Sequence, residues 1–134
     1  RKADERDARK AHEAAELEKV RQKKRLQEEY SRRVVIEREC VEWENFARNC
    51  IRRAVFEEWY PPASGLTARF EGRVQRLLFA LSELRTAEQA NAAADRTNTI
   101  EKNRAYELSA ARRDQAIAAF RELNDMVPRP NPAA

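Results

Sequence analysis

Glycine and proline are almost missing from this 134-residue chain, which holds two of the first and five of the second. Neither occurs between Arg1 and Tyr60, and neither occurs again after Gly72 until Pro128. Glycine's backbone freedom and proline's missing donor are the usual helix breakers, so their absence excludes frequent chain reversals and leaves two long stretches written in helix-permitting residues. The one strong break is Tyr60-Pro61-Pro62-Ala63-Ser64-Gly65, where a helix must end and the chain can turn.

Residues that carry chemistry are equally scarce. His12 is the one histidine, set in a charged stretch with no large apolar neighbour, whereas general acid–base work needs a cleft and a positioned partner. It reads as a solvated surface group. Cys40 and Cys50 lie ten residues apart in one helical stretch, hence about 15 Å apart at helical rise and beyond the roughly 7 Å reach of a disulfide. They read as buried small hydrophobes in a reducing compartment. With no second cysteine pair there is no zinc pattern, and Gly65 and Gly72 lack the further glycines, lysine and preceding strand of a phosphate loop. Neither an enzyme, a metal nor a cofactor is expected. No run of about 18 apolar residues offers a membrane span, and no charged-then-apolar leader opens the chain. Because Arg1 stands where a methionine would start translation, the chain reads as a processed product or a segment of a longer polypeptide.

Charge is what the chain has in excess. Charged residues make up 37%, against about 25% in ordinary globular domains. Residues 1–33 hold 12 basic and 8 acidic side chains, so they account for the whole net charge of +4, while residues 34–60 carry −2 and residues 61–134 carry +2. An acidic partner would meet the amino-terminal segment first. That segment holds few large apolar groups, namely Leu17, Val20, Leu26 and Tyr30, and cannot bury a core of its own. Acid-first pairs four apart, such as Glu5 with Arg9 and Glu28 with Arg32, can support a solvated helix instead.

From Val34 onward the apolar pattern is that of packed helices. Ile36, Cys40, Trp43, Ala47, Cys50 and Ala54 recur at alternating steps of four and three, widened by Phe46, Ile51, Val55 and Trp59. After the turn, Leu66, Phe70, Val74, Leu77, Leu78, Leu81 and Leu84 make a dense face, with Ser64 or Thr67 as the amino-terminal cap. The pattern fades through Glu88, Asn91 and Asp95, then returns at Ile100, Leu108, Ala116, Phe120, Leu123 and Val127. A long two-helix hairpin would leave Phe120 and Leu123 exposed against the charged start of the chain. A turn near Ala94–Thr99 buries them instead, and Asn98 with Glu101 has the spacing of a capping box.

The expected architecture is therefore all-α: an elongated three-helix bundle, preferred to the antiparallel two-helix hairpin, with a projecting charged amino-terminal helix and a proline-rich carboxy-terminal tail. Residues 1–33 form the extension, 34–127 the bundle with helices near 34–60, 65–94 and 98–127, and 128–134 the tail. An unbroken helix from Arg1 to Tyr60 would run about 90 Å. Most aromatic residues, Phe56 among them, are expected in the core, and Phe79 is the one left facing outward.

The most suggestive cluster is Arg21, Lys23, Lys24 and Arg25, with Lys19, Arg32 and Arg33 nearby. Cations repeated along a rod can follow a phosphate backbone or an acidic polymer such as tubulin, although the interleaved Glu18, Glu28 and Glu29 equally describe a solvated helix. Those seven residues, together with Trp59 and Phe79, are the candidate partner-docking groups. The reading they support is a structural scaffold subunit of a cytoskeletal or axonemal assembly, acting through helix–helix and coiled-coil contacts with protein subunits. Its rival is a ribosomal or mitoribosomal subunit whose basic helix meets RNA. Location follows the reading: cytoplasmic or cytoskeletal for the first, with mitochondrial as the other option.

Overall fold

A computed structural model describes residues 2–129. Among them the chain is an all-α bundle of three helices with no strand: α1 (Lys2–Phe56), α2 (Thr67–Ala93) and α3 (Thr99–Asp125), with a single 3-10 turn at Pro62–Ser64. The expected proline-rich tail lies outside the described residues from Pro130 on. The chain divides into two compact units, residues 1–36 and residues 37–134.

In the first unit the described backbone is helical throughout, about 50 Å of rise. Residues 2–28 are all exposed, Glu29 and Arg32 are partly covered, and Ile36 is buried. This stretch has little apolar surface to bury, and no glycine or proline interrupts it.

The second unit holds the bundle. Arg73 and Arg76 both reach Glu122, and Arg112 reaches Glu83 at 3.5 Å, so residue numbers rise on α2 as they fall on α3 and the two helices are antiparallel. On the other side, Arg113 grips Glu39 with two hydrogen bonds of 2.7 and 3.1 Å, and Trp43 and Phe46 meet Phe120, so α1 and α3 run the same way. Arg85 joins α2 to α1 through Glu37, at 3.3 Å, and Glu44. The interior is Cys40, Ala47 and Cys50 of α1, the line Phe70 to Leu84 of α2, and Ala116 with Leu123 of α3. The glutamates Glu37, Glu39 and Glu44 are the acceptors that tie α1 to its neighbours.

Several expectations are corrected. Helix α1 stops at Phe56 and not at Tyr60, because a Schellman-type closure forms before the prolines: Trp59 N–H donates to Ala54 O at 3.1 Å while Glu58 takes a left-handed φ of 52°. Phe56, expected in the core, is 89% exposed. It lies two residues, hence about 200° around the helix, from the seam position Ala54. Ile51 and Val55 are exposed as well. On α3, Ser109 holds the core-facing place seven residues before Ala116, so Leu108 is turned about 100° aside and stays exposed, as does Ile100. Neither Ser64 nor Thr67 caps α2 in the expected way: its N-cap is Leu66, whose N–H donates to Ser64 Oγ at 3.2 Å, and Thr67 Oγ1 donates to Tyr60 O at 3.2 Å. At α3 the Asn98 side chain does accept from Glu101 N–H at 3.1 Å, but Asn98 N–H goes to Asp95 O, so the capping box is half formed.

Glu58 yields a direct test of the closure. A side chain at left-handed φ is strained where glycine is not, so Glu58→Gly is expected to stabilise the bundle by about 0.5–1 kcal/mol. A urea titration showing no gain in midpoint would mean that Glu58 contributes more than its backbone strain costs.

Candidate functional site

The seven basic candidates all lie on α1 in the first unit. At 100° per residue Lys19 and Lys23 fall on one side of the helix, Arg21, Arg25 and Arg32 on the opposite side, with Lys24 and Arg33 to either flank. They do not converge on one face. Lys19 Nζ is 3.4 Å from Glu16 on its own helix, an exposed pair of little energetic weight. The apolar groups are scattered too, with Leu17 and Val20 on one side and Leu26 and Tyr30 on the other, so the stretch carries no continuous seam for a coiled-coil mate.

Trp59 and Phe79 belong to the second unit and fare differently. Trp59 is half-buried, with Phe70 edge-on at 6.1 Å and the Arg53 guanidinium 4.9 Å over its ring. Its indole is used inside the chain, to fix the turn. Phe79 is 67% exposed, as its position on the outer side of α2 predicts. It borders a shallow depression of about 300 Å³ shared with Ala80 and Ala118 and rimmed by Arg76, Glu83 and Arg112.

The larger concavity was not foreseen. Around the interhelical turn, Ile51, Val55, Pro61, Pro62, Phe70 and Val74 line a groove of about 540 Å³. Its charged lining groups are Glu58 and Glu71, both acidic. Val55 and Phe56 stand exposed beside it because α1 ends there, leaving a face that α2 does not reach. Leu66, at the start of α2, is also part-exposed. The sequence signal was present in the run Ile51, Val55, Phe56, Pro61 and Pro62, but all of these apolar residues had been given to the stripe or the turn. Tyr60 holds the groove's end in place, its hydroxyl donating to Met126 O and its ring packed 5.4 Å from Phe70.

Several titratable groups are shifted by their surroundings. Burial pushes the Cys40 thiol up to about 11 and raises Cys50 as well. Hydrogen bonds from Arg73 and Arg76 hold the Glu122 carboxyl below its ordinary range, and the Thr97 hydroxyl and N–H do the same for Asp95 in the turn before α3. His12 is exposed. Among the described residues no group of three or more His, Cys, Asp or Glu is placed to hold a metal ion, and no helix is long and apolar enough to cross a membrane.

The thiols supply a measurable consequence. With Cys40 fully buried and its thiol pushed up to about 11 by that burial, labelling of the native chain by a maleimide is expected to be at least ~100-fold slower than in urea, both cysteines then reacting together. Fast native labelling of either would show that α1 opens locally around it.

No family model matches this chain, and neither the curated proteins nor the solved structures contain a match to it.

Proposed function

We propose that the chain is a non-enzymatic scaffold subunit of a larger assembly, cytoplasmic and cytoskeletal or axonemal in setting. The observation that supports this reading is the helical stretch of residues 2–28, every one of them exposed. Helical propensity alone makes such a stretch marginal in water, and tertiary contact is the usual source of its stability. A partner laid along it would supply that contact. Because the apolar groups share no single side, the contact is better met by a charged helix lying against an acidic polymer surface such as tubulin than by a heptad-paired mate. The exposed ring of Phe79 adds a second place where another protein subunit can pack.

The ribonucleoprotein reading draws on one observation of its own, the distribution of cations around all sides of the helix. RNA surrounding a threaded segment would use them all. The eight acidic residues interleaved in residues 1–33 weigh against it.

Co-sedimentation with polymerised tubulin, run beside filter binding to generic RNA at about 100 mM salt, tests the proposal. The scaffold reading expects the chain to pellet with polymer, and the Lys23→Glu/Lys24→Glu/Arg25→Glu variant to pellet at least ~10-fold less well, with unchanged thermal unfolding because all three residues are exposed. Retention of RNA without pelleting, lost in the same variant, overturns it in favour of the ribonucleoprotein.

A further inference from the structure

We infer that the acidic groove at the interhelical turn receives the amino-terminal helix of a second copy of this chain, joining copies head to tail. The groove asks for two things: apolar side chains to cover Ile51, Val55 and the neighbouring Phe56, and cations to meet Glu58 and Glu71. No basic residue lines it. Glu58 is fixed at the rim by the left-handed turn that ends α1, and Glu71 projects from the first turns of α2, so the acidic pair is set by backbone geometry.

The first unit carries the complement. Lys19, Lys23, Leu26 and Tyr30 follow one another at steps of four, three and four, which places all four within about 60° on one line along α1. Leu26 and Tyr30 are 64% and 67% exposed. Two apolar anchors followed by two ammonium groups on one helical line is the pattern of a helix laid in a groove. That line pairs adjacent large apolar groups with two lysines. A groove of about 540 Å³ accommodates the Leu26 and Tyr30 side chains while Lys23 and Lys19 reach the rim.

The two surfaces are different, so each copy offers one of each and the contact does not close on itself. Such heterologous pairing builds open chains, or rings where the rotation between copies closes. A single helical segment in a groove falls below the roughly 1,200–2,000 Å² of a stable interface, so the contact is weak and is populated only at high concentration. The inference deepens the scaffold reading by naming a partner, and rests on that reading for its biological sense.

Sedimentation velocity across a concentration series, with charge-swapped variants, decides it. The intact chain is expected to sediment faster as concentration rises from about 10 to 500 µM, and less so as salt is raised. Glu58→Lys/Glu71→Lys and Lys19→Glu/Lys23→Glu are each expected to remain monomeric throughout, while an equimolar mixture of the two regains association, since each groove then meets an oppositely charged helix. Far-ultraviolet circular dichroism establishes that both variants are folded. Recovery in the mixture is the result that no other occupant of the groove would give. A chain that stays monomeric at 500 µM, or associates without regard to the swaps, overturns the inference. Pelleting of that same monomer with tubulin polymer would leave the scaffold proposal standing, so the two fail separately.

Discussion

Phe120→Ala is expected to lower the unfolding free energy by about 3 kcal/mol, which for a bundle of this size moves the thermal midpoint down by roughly 15 °C. The ring is the contact through which α3 holds α1: it stacks on Trp43 with centroids 5.0 Å apart and 19° between planes, and tilts against Phe46 at 4.9 Å. Truncation removes the buried area of the ring and both aromatic contacts, each worth about 0.5–1.5 kcal/mol beyond area alone. Ala116 and Ala119 beside it are too small to close the space. Phe120→Leu keeps most of the volume and loses only the ring geometry, so about 1 kcal/mol separates it from the parent chain. Urea unfolding followed by tryptophan fluorescence measures both, with Trp43 reporting on the same contact. A loss below 1 kcal/mol for the alanine variant would mean that α3 is held mainly by the Arg113 to Glu39 pair and not by the aromatic cluster.

Why Phe120 could be assigned to an interhelical contact from sequence, while Phe56 could not, is a matter of register. The seam from Ile36 to Ala54 and the face from Phe70 to Leu84 hold an unbroken 3.6-residue period, and the interior of the bundle follows them closely. The turn at the proline pair and the restart at Asn98 were equally legible, because proline, glycine and a capping asparagine act locally. Phe56 was misplaced because hydrophobicity was weighed without angle, and because the Schellman closure that ends α1 uses Glu58, a residue with no intrinsic signal for left-handed backbone. Leu108 and Ile100 erred the same way: a serine occupies the inward position on α3 and the leucine does not.

The groove was hidden for a related reason. A groove is a statement about what neighbouring elements fail to cover, and that depends on where α1 stops relative to α2, a distance that periodicity does not encode. The candidate cations stand in the sequence as individual residues. Their placement around the helix, with Lys19 and Lys23 aligned with Leu26 and Tyr30, emerges once the whole stretch is known to be one helix.

The apparent gap in the apolar pattern of α2 and α3 conceals a buried polar contact, and Glu88→Ala is expected to cost about 2 kcal/mol through it. Glu88 continues the inward line of Leu81 and Leu84 and is 8% exposed, while Ser109, fully buried, sits across from it on α3. The Ser109 hydroxyl donates to Glu88 Oε2, and Asn91 Nδ2 donates to Oε1 at 3.5 Å. Removing the carboxyl withdraws an acceptor from a hydroxyl that water does not reach, and losing a buried acceptor costs more than the net worth of the bond when made. Ser109→Ala should cost less, about 1 kcal/mol, since it withdraws a donor from a carboxyl that still has Asn91. If the two groups are coupled, the double variant Glu88→Ala/Ser109→Ala is less destabilised than the sum of the singles by roughly 1 kcal/mol, because the bond between them is lost only once. Strict additivity in urea titrations would mean that the contact carries no energy of its own. Coupling of the expected size would give the pair a definite role: among apolar residues that tolerate sliding, one directional bond between α2 and α3 sets their register, and with it the spacing of Arg73 and Arg76 against Glu122 more than three turns away.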